Sequence, residues 1–348
     1  MDSLTQMVLG AAVGEAVLGR KVGNKALIWG AVAGTLPDLD VLAYPFWNDV
    51  QRLTYHRSAT HSFLVLAAFA PIMGLVIGRI HRRLDVNWVD WTKLCFWALI
   101  THPILDCFTT YGTQVFWPIS PYPVSWSSVF IIDPLYSLPL LFSVVLSFWL
   151  ARESTQRRRV ILFALAMSSS YLGITVFNKA AADKVFQEAV ARDPKLGQGT
   201  MMSMPTAFNC VLWKALYIQD DRVYTAYYSF LGSEEDVMFS ATERGTHLIA
   251  DMDQQPGVRR LQWFSKGYYH IYREDDRVIF ADLRFGEKDF YVFSYQIGTL
   301  EEERVLPAQI EKRPRPKPPS HLWEHFWKRL KGELVGAHSE TSASHQPD

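Results

Sequence analysis

The chain has 348 residues, enough for about two domains, with 35 basic and 35 acidic side chains and a net charge of zero. That balance carries no basic excess for a nucleic-acid partner, and none is expected. Its three cysteines form no CxxC pair, which excludes a disulfide framework and a thiolate zinc site.

The 49% hydrophobic content is unevenly spread: apolar residues gather before Lys179 and charged ones after it. The chain start lacks a basic n-region and a small-residue cleavage site, so it reads as a retained membrane segment. Leu4–Leu18 and Ala26–Leu36 are rich in Gly and Ala and short for a full span, which suits close helix packing or partial insertion. Phe63–Ile80, Val129–Leu150 and Val160–Phe177 are long enough, or nearly so, to cross a hydrocarbon core of roughly 30 Å. Leu94–Phe108 is shorter and carries His102 and Asp106. The expected fold of residues 1–178 is therefore an α-helical polytopic membrane bundle of four to six helices. If all six segments cross, eleven Lys and Arg fall in the loops of one side and two, Arg52 and Arg57, in those of the other. The basic side is expected to be cytoplasmic, with both termini outside.

Beyond Lys179, Ala180–Arg192 continues as helix. From Val211 short aromatic and β-branched runs alternate with charged turns: VLWKALYI, RVYTAYYSFL, VMFSAT, RRLQWFS, GYYHIYRE, RVIFADLRF and DFYVFSYQI. They predict a smaller β-rich extramembrane domain over 179–305, an antiparallel sheet with one wet face. Residues 306–348 read as a proline-rich linker, then HLWEHFWKRLKGEL as an interfacial amphipathic helix, then a disordered tail.

Within the helical part, ionisable residues recur in small groups. His102 and Asp106 stand i,i+4 on one helix face, inside an apolar segment where charge is expensive. They read either as metal ligands or as a buried His–Asp hydrogen bond joining helices. His56 and His61 share a face only if a helix starts between them, with Ser58 or Thr60 as N-cap; otherwise they are loop histidines. Asp38 and Asp40, if extended, point to the same side and can meet one cation; a solvated turn is the alternative. Asp133 before Pro134 suits a helix N-cap as well as a metal or general-base role. Glu15 lies near the basic end, away from these groups. The charge-based topology places Asp38, Asp40, His56, His61, His102, Asp106 and Asp133 on one membrane face. That is enough for one divalent metal or two, zinc first and manganese second.

At MDSLTQMVLGAAVGEAVLGRKVGNKALIWGAVAGTLPDLD, HRSATHS, THPILDCFTTYGTQVFWPIS, FIIDPLYSLPLL and MPTAFNCVLWKAL the chain resembles the membrane-bound metal-dependent hydrolases. The bacterial members are described as inner-membrane proteins under LexA control. The resemblance runs through most of residues 1–310. It implies a bacterial inner-membrane location and a helical core holding a divalent metal. By distant analogy it also implies zinc-dependent phospholipase C and P1-type nuclease chemistry. Many relatives have His where this chain has Gln6. The expected activity is hydrolysis of an ester or phosphoester of a lipid-linked substrate by metal-activated water. Asp38, Asp40, His56, His61, His102 and Asp106 would hold metal, Asp133 would act as general base, and Arg57 would neutralise a phosphate oxygen. The uncharged loop YGTQVFWPISPYPVSW, with five aromatic side chains, suits a lip at the lipid interface, with the β-rich domain on the same outer side. The other class of reading is a non-enzymatic membrane protein, a stress-response scaffold with a structural metal or a metal carrier.

Overall fold

The computed structural model describes residues 1–287, 290–301, 304–333 and 335. The chain divides into two compact units: Met1–Lys179 with Pro205–Cys210, and Ala180–Met204 with the chain from Val211 onward. The expected disordered tail lies outside the described residues.

The first unit is helical. α1 (Ser3–Val22) and α2 (Asn24–Thr35) form an antiparallel pair turned at Gly23, whose φ of 61° suits glycine. Gly10 and Gly14 of α1 face Gly30 and Gly34 of α2 so closely that a Cβ on any of the four would overlap the partner's backbone. This is a doubled small-xxx-small seam, the usual means of bringing membrane helices into backbone contact. Leu36–Phe46 follows as a 3₁₀ segment, then α3 (Asp49–Tyr55), a 3₁₀ turn at Ala59–His61, α4 (Phe63–Ile80), α5 (Trp88–Cys107), α6 (Pro134–Ser147) and α7 (Thr155–Arg192).

Among the described residues three helices are long and apolar enough to cross a membrane: Asn24–Phe46, Phe63–Ile80 with a mean hydropathy of 2.2, and Thr155–Arg192. The expected span Val129–Leu150 is shortened to α6, which Asp133 caps and Pro134 opens. Its 14 residues reach only about 21 Å at 1.5 Å per residue. α5 starts earlier than expected, at Trp88, because Asn87 accepts a hydrogen bond from the Asp90 N–H as N-cap.

Near the other end of the bundle Arg157 is buried against Glu15. Its Nε and Nη2 donate to the two carboxylate oxygens at 2.7 Å each, while Nη1 donates to Asn24 Oδ1 and the Leu150 carbonyl. Glu15 folds along its own helix over Gly19, where a Cβ would collide with the carboxylate. The Glu15 side chain is thus part of a structural lock between α1 and α7.

The second unit is built on two four-stranded sheets. One has the order β1 (Thr200–Pro205), β2 (Leu212–Gln219), β3 (Arg222–Ser229), β4 (Ser240–Glu243). After α8 (Pro256–Phe264) the other has the order β10 (Arg304–Lys312), β9 (Ser294–Glu301), β6 (Arg277–Asp282), β5 (Tyr269–Glu274). β7 (Gly286–Glu287) and β8 (Phe290–Tyr291) form a small hairpin. Met204, Leu216, Val223, Tyr268 and Leu283 pack in one buried cluster of this unit. Two sequence expectations fail here. RRLQWFS is helical, because Pro256 opens α8 and Val258, Leu261 and Phe264 recur at helical spacing on its buried side. The stretch from 306 that reads as linker is strand β10 up to Lys312, and it pairs antiparallel with β9. Proline-rich residues 314–319 are irregular, and α9 (His321–Leu330) follows. In α9, Arg329 binds Glu287 and stacks 3.8 Å from the Tyr227 ring centroid, while Trp327 stays 54% exposed.

Candidate metal centre

Two 3₁₀ pieces and the end of α5 bring the site together. Pro37 starts the 3₁₀ segment after α2, and the tighter winding sets the direction of its carboxylates. With about three residues per turn, side chains two apart point some 120° from each other, unlike the extended arrangement expected from sequence. Asp38 therefore faces His61 and His102, while Asp40 faces away to His56. His61 ends the 3₁₀ turn that precedes α4, whose N-cap is Ser62 rather than Ser58 or Thr60. His102 and Asp106 come from the last turns of α5.

Asp38, His61, His102 and Asp106 each aim one donor atom at a common centre, all within 4.8 Å of one another. His61 Nε2 and His102 Nε2 are 3.2 Å apart, and each is 3.4 Å from Asp38 Oδ1. Asp106 Oδ2 lies 3.4 Å from His61 Nε2 and 3.6 Å from His102 Nε2. Donors bound tetrahedrally at ~2.0–2.1 Å stand about 3.3–3.4 Å apart, so these spacings fit zinc or a similar divalent ion. Asp106 Oδ2 is fully buried and accepts no hydrogen bond. A bare carboxylate oxygen beside two imidazole lone pairs is costly unless a cation is shared among them.

The surrounding bonds hold those lone pairs inward. His102 Nδ1 donates to the Gly34 carbonyl at 2.6 Å, which leaves Nε2 unprotonated toward the centre. Thr60 Oγ1 donates to Asp40 Oδ2 and so accepts from His61 Nδ1, both at 3.0 Å, with the same result. Burial alone would depress the His61 pKa, but Asp106 and Asp38 outweigh it and the net shift is upward.

The other expected site residues lie outside this quartet. Asp40 and His56 form a pair, Oδ1 to Nδ1 at 2.9 Å, and the His56 ring centroid stands 6.1 Å from that of His61. Arg57 is buried in a left-handed conformation with φ 58°. Such a residue costs of order 1–3 kcal/mol unless its surroundings fix it. Here its N–H donates to Asp40 and its carbonyl accepts from Gln114. Its guanidinium faces Asp106 Oδ1 at 3.3 Å, Thr109 and the Tyr111 ring, so it is turned to a ligand rather than left open for a phosphate. Asp133 caps α6, taking the Leu135 N–H on Oδ1 and the Tyr171 hydroxyl on Oδ2. Both oxygens are engaged, which removes the basis for a general-base role. Gln6 Nε2 donates to Asp106 Oδ1 and the His102 carbonyl, and the Met1 amine also meets Asp106 Oδ1. Gly34 as a carbonyl partner and Thr60 as a relay had no signal of their own in the sequence, although the Gly- and Ala-rich composition of the first two segments suited the close helix packing that places Gly34.

Exposed apolar side chains flank the centre. The 3₁₀ segment that carries Asp38 ends in Phe46, 85% exposed. The aromatic loop presents Phe116, Ile119, Tyr122 and Trp126, with Ile119 84% exposed. Phe63 N–H donates to the Val115 carbonyl, tying this loop to the start of α4 beside His61.

Among known proteins, the chain is similar to the uncharacterized protein YfhP of Bacillus subtilis (strain 168), 28% identical over 163 residues. That alignment covers 44% of this chain and 48% of the relative, so the chain spans about half the length of the curated relative it matches. No solved structure matches. The profile of the YdjM inner membrane protein family matches residues 1–182, just over half of the chain and all of the metal quartet. The chain belongs to the YdjM inner membrane protein family.

Proposed function

We propose that this inner-membrane protein is a divalent-metal-dependent hydrolase acting on an ester or phosphoester of a lipid-linked substrate. The observation that carries the reading is the convergence of Asp38, His61, His102 and Asp106 around the unpartnered Asp106 Oδ2. When bound, a divalent cation polarises a substrate oxygen and brings the pKa of water toward ~7. Arg57 and Gln6 occupy Asp106 Oδ1 and so turn Oδ2 inward. His56, oriented by Asp40 and beside His61, takes the general-base role expected of Asp133. The exposed apolar loop beside the site suits a substrate whose tail stays in the bilayer. The resemblance to membrane-bound metal-dependent hydrolases favours the same chemistry.

A second reading has one observation in its favour: four protein donors at near-tetrahedral spacing resemble a closed structural site. In that case the protein is a non-enzymatic scaffold. Metal transport fits less well, because the quartet sits at helix ends rather than along a path through broken helices.

Detergent-purified protein should contain a divalent metal, zinc before manganese. With that metal restored, generic phosphoester and ester substrates should turn over, and His56→Ala should abolish turnover with the metal retained. Metal-free protein that cannot be loaded would defeat the reading. Full metal content with no turnover on any substrate would favour the scaffold.

A further inference from the structure

A second candidate site lies at the opposite ends of α2 and α4 from the metal centre. There a groove of ≈ 720 Å³ opens among Lys25, Ile28, Trp29, Ile80, His81 and Arg152. That volume is within the roughly 300–1,000 Å³ of ordinary ligand sites.

Its polar rim is cationic and weakly committed. Lys25 has no acidic partner among the described residues. Arg152 lies against Gly23; its Nε pairs with the exposed Glu153 at 3.1 Å and its Nη1 reaches the Lys21 carbonyl at 3.5 Å. Trp29 Nε1 donates to His81 Nε2 at 2.8 Å, which places the imidazole proton on Nδ1 and makes that nitrogen a donor. The His81 ring is held by stacking on Trp91, with centroids 5.4 Å apart. Beneath this rim Ile28 and Ile80 are more than half exposed.

We infer that the groove binds an anionic phospholipid, with its phosphate among Lys25, Arg152 and His81 and an acyl chain along Ile28 and Ile80. Charge complementarity selects the anion. The apolar wall selects a lipid over a free phosphate, which would leave that wall against solvent or bulk lipid. The groove shares no residue with the metal quartet, so this assignment stands apart from the hydrolase reading.

The test is lipid retention by the purified protein in mild detergent, read by native mass spectrometry and by the thermal midpoint during titration. Phosphatidylglycerol should be retained and raise the midpoint, whereas phosphatidylcholine and glycerol 3-phosphate should not. Lys25→Gln and Arg152→Gln should each weaken phosphatidylglycerol binding about fivefold, the effect of ~1 kcal/mol per basic residue near an anionic surface. Metal content should stay unchanged. Both positions are exposed, and the Lys25 variant gives an answer even if the Arg152 variant is unstable. Equal retention of the two phospholipids, or undiminished phosphatidylglycerol binding in a folded Lys25→Gln variant, would overturn the inference. Stabilisation by glycerol 3-phosphate as large as that by the lipid would overturn the lipid assignment.

Discussion

Asp106 sends Oδ1 toward Arg57, Gln6 and the Met1 amine and leaves Oδ2 bare toward two imidazoles. The three donors thereby turn a symmetric carboxylate into a directional one. Asp106→Asn keeps the shape but gives up the charge and should lower metal affinity by at least about 10–100-fold, measured by competition with a chromogenic chelator. A change confined to the unfolding midpoint would mean that Asp106 only joins helices. Gln6→His places an imidazole where the amide now bonds to Asp106, and it should tighten metal binding by more than about twofold. An unchanged affinity would separate residue 6 from the site. Residue types made part of the centre legible: His102 and Asp106 share a helix face in any reading, and His61 sits two residues before a strong apolar span. The division between Asp38 and Asp40 was not legible, because it depends on a 3₁₀ winding that sequence does not distinguish from an extended turn. Arg57 was readable as a cation near the site but not as a buried one.

The α1–α2 seam shows how an element controls a distant ligand. Its four glycines let the helix backbones touch, and the contact sets where the Gly34 carbonyl meets His102 Nδ1. Gly30→Val would force the helices apart, an overpacking cost of typically 1–3 kcal/mol. It should lower both the detergent unfolding midpoint and the metal affinity, although residue 30 touches no ligand. Loss of midpoint with normal affinity would show that the seam and the centre are independent. Helical elements were the most legible part of the fold; α4 coincides with its predicted span, Phe63–Ile80. In the second unit an apolar run bounded by charges was compatible with strand or helix. RRLQWFS resolved to helix through Pro256, while the linker reading of 306–312 overlooked β9 as a pairing partner.

Taken whole, the bundle has one end rich in Lys and Arg and another that carries the metal quartet and the aromatic loop. Eleven basic residues against two predict that Arg82 and the end of the bundle that buries Arg157 lie on the cytoplasmic side, while Trp117 lies on the outer side. Single cysteines at 82 and 117 can be labelled in intact cells with an impermeant thiol reagent. The native cysteines, Cys95, Cys107 and Cys210, are buried, so background labelling should be low. Reaction at 117 with protection at 82 is the expected result, and the reverse would invert the topology. Helix number is the less legible feature at this scale. Among the described residues three elements qualify by length and composition, whereas α1, α5 and α6 owe their place to burial against neighbours.

The Glu15–Arg157 lock also has a meaning in time. The two residues are 142 positions apart, so at roughly 5–20 residues per second Glu15 precedes its partner by about 7–30 s during synthesis. Until α7 arrives, the first helix carries a carboxylate with no guanidinium to meet it, a charge that the folded bundle buries and that is costly unless paired. The arrival of α7 is therefore recorded chemically in α1. Fragments ending before Thr155 should be short-lived in a pulse-chase, and Glu15→Leu should prolong them. In the full-length protein the same substitution strands Arg157 and should cost about 3–5 kcal/mol. A stability marker for the finished bundle would thus serve as a degradation mark on the unfinished one.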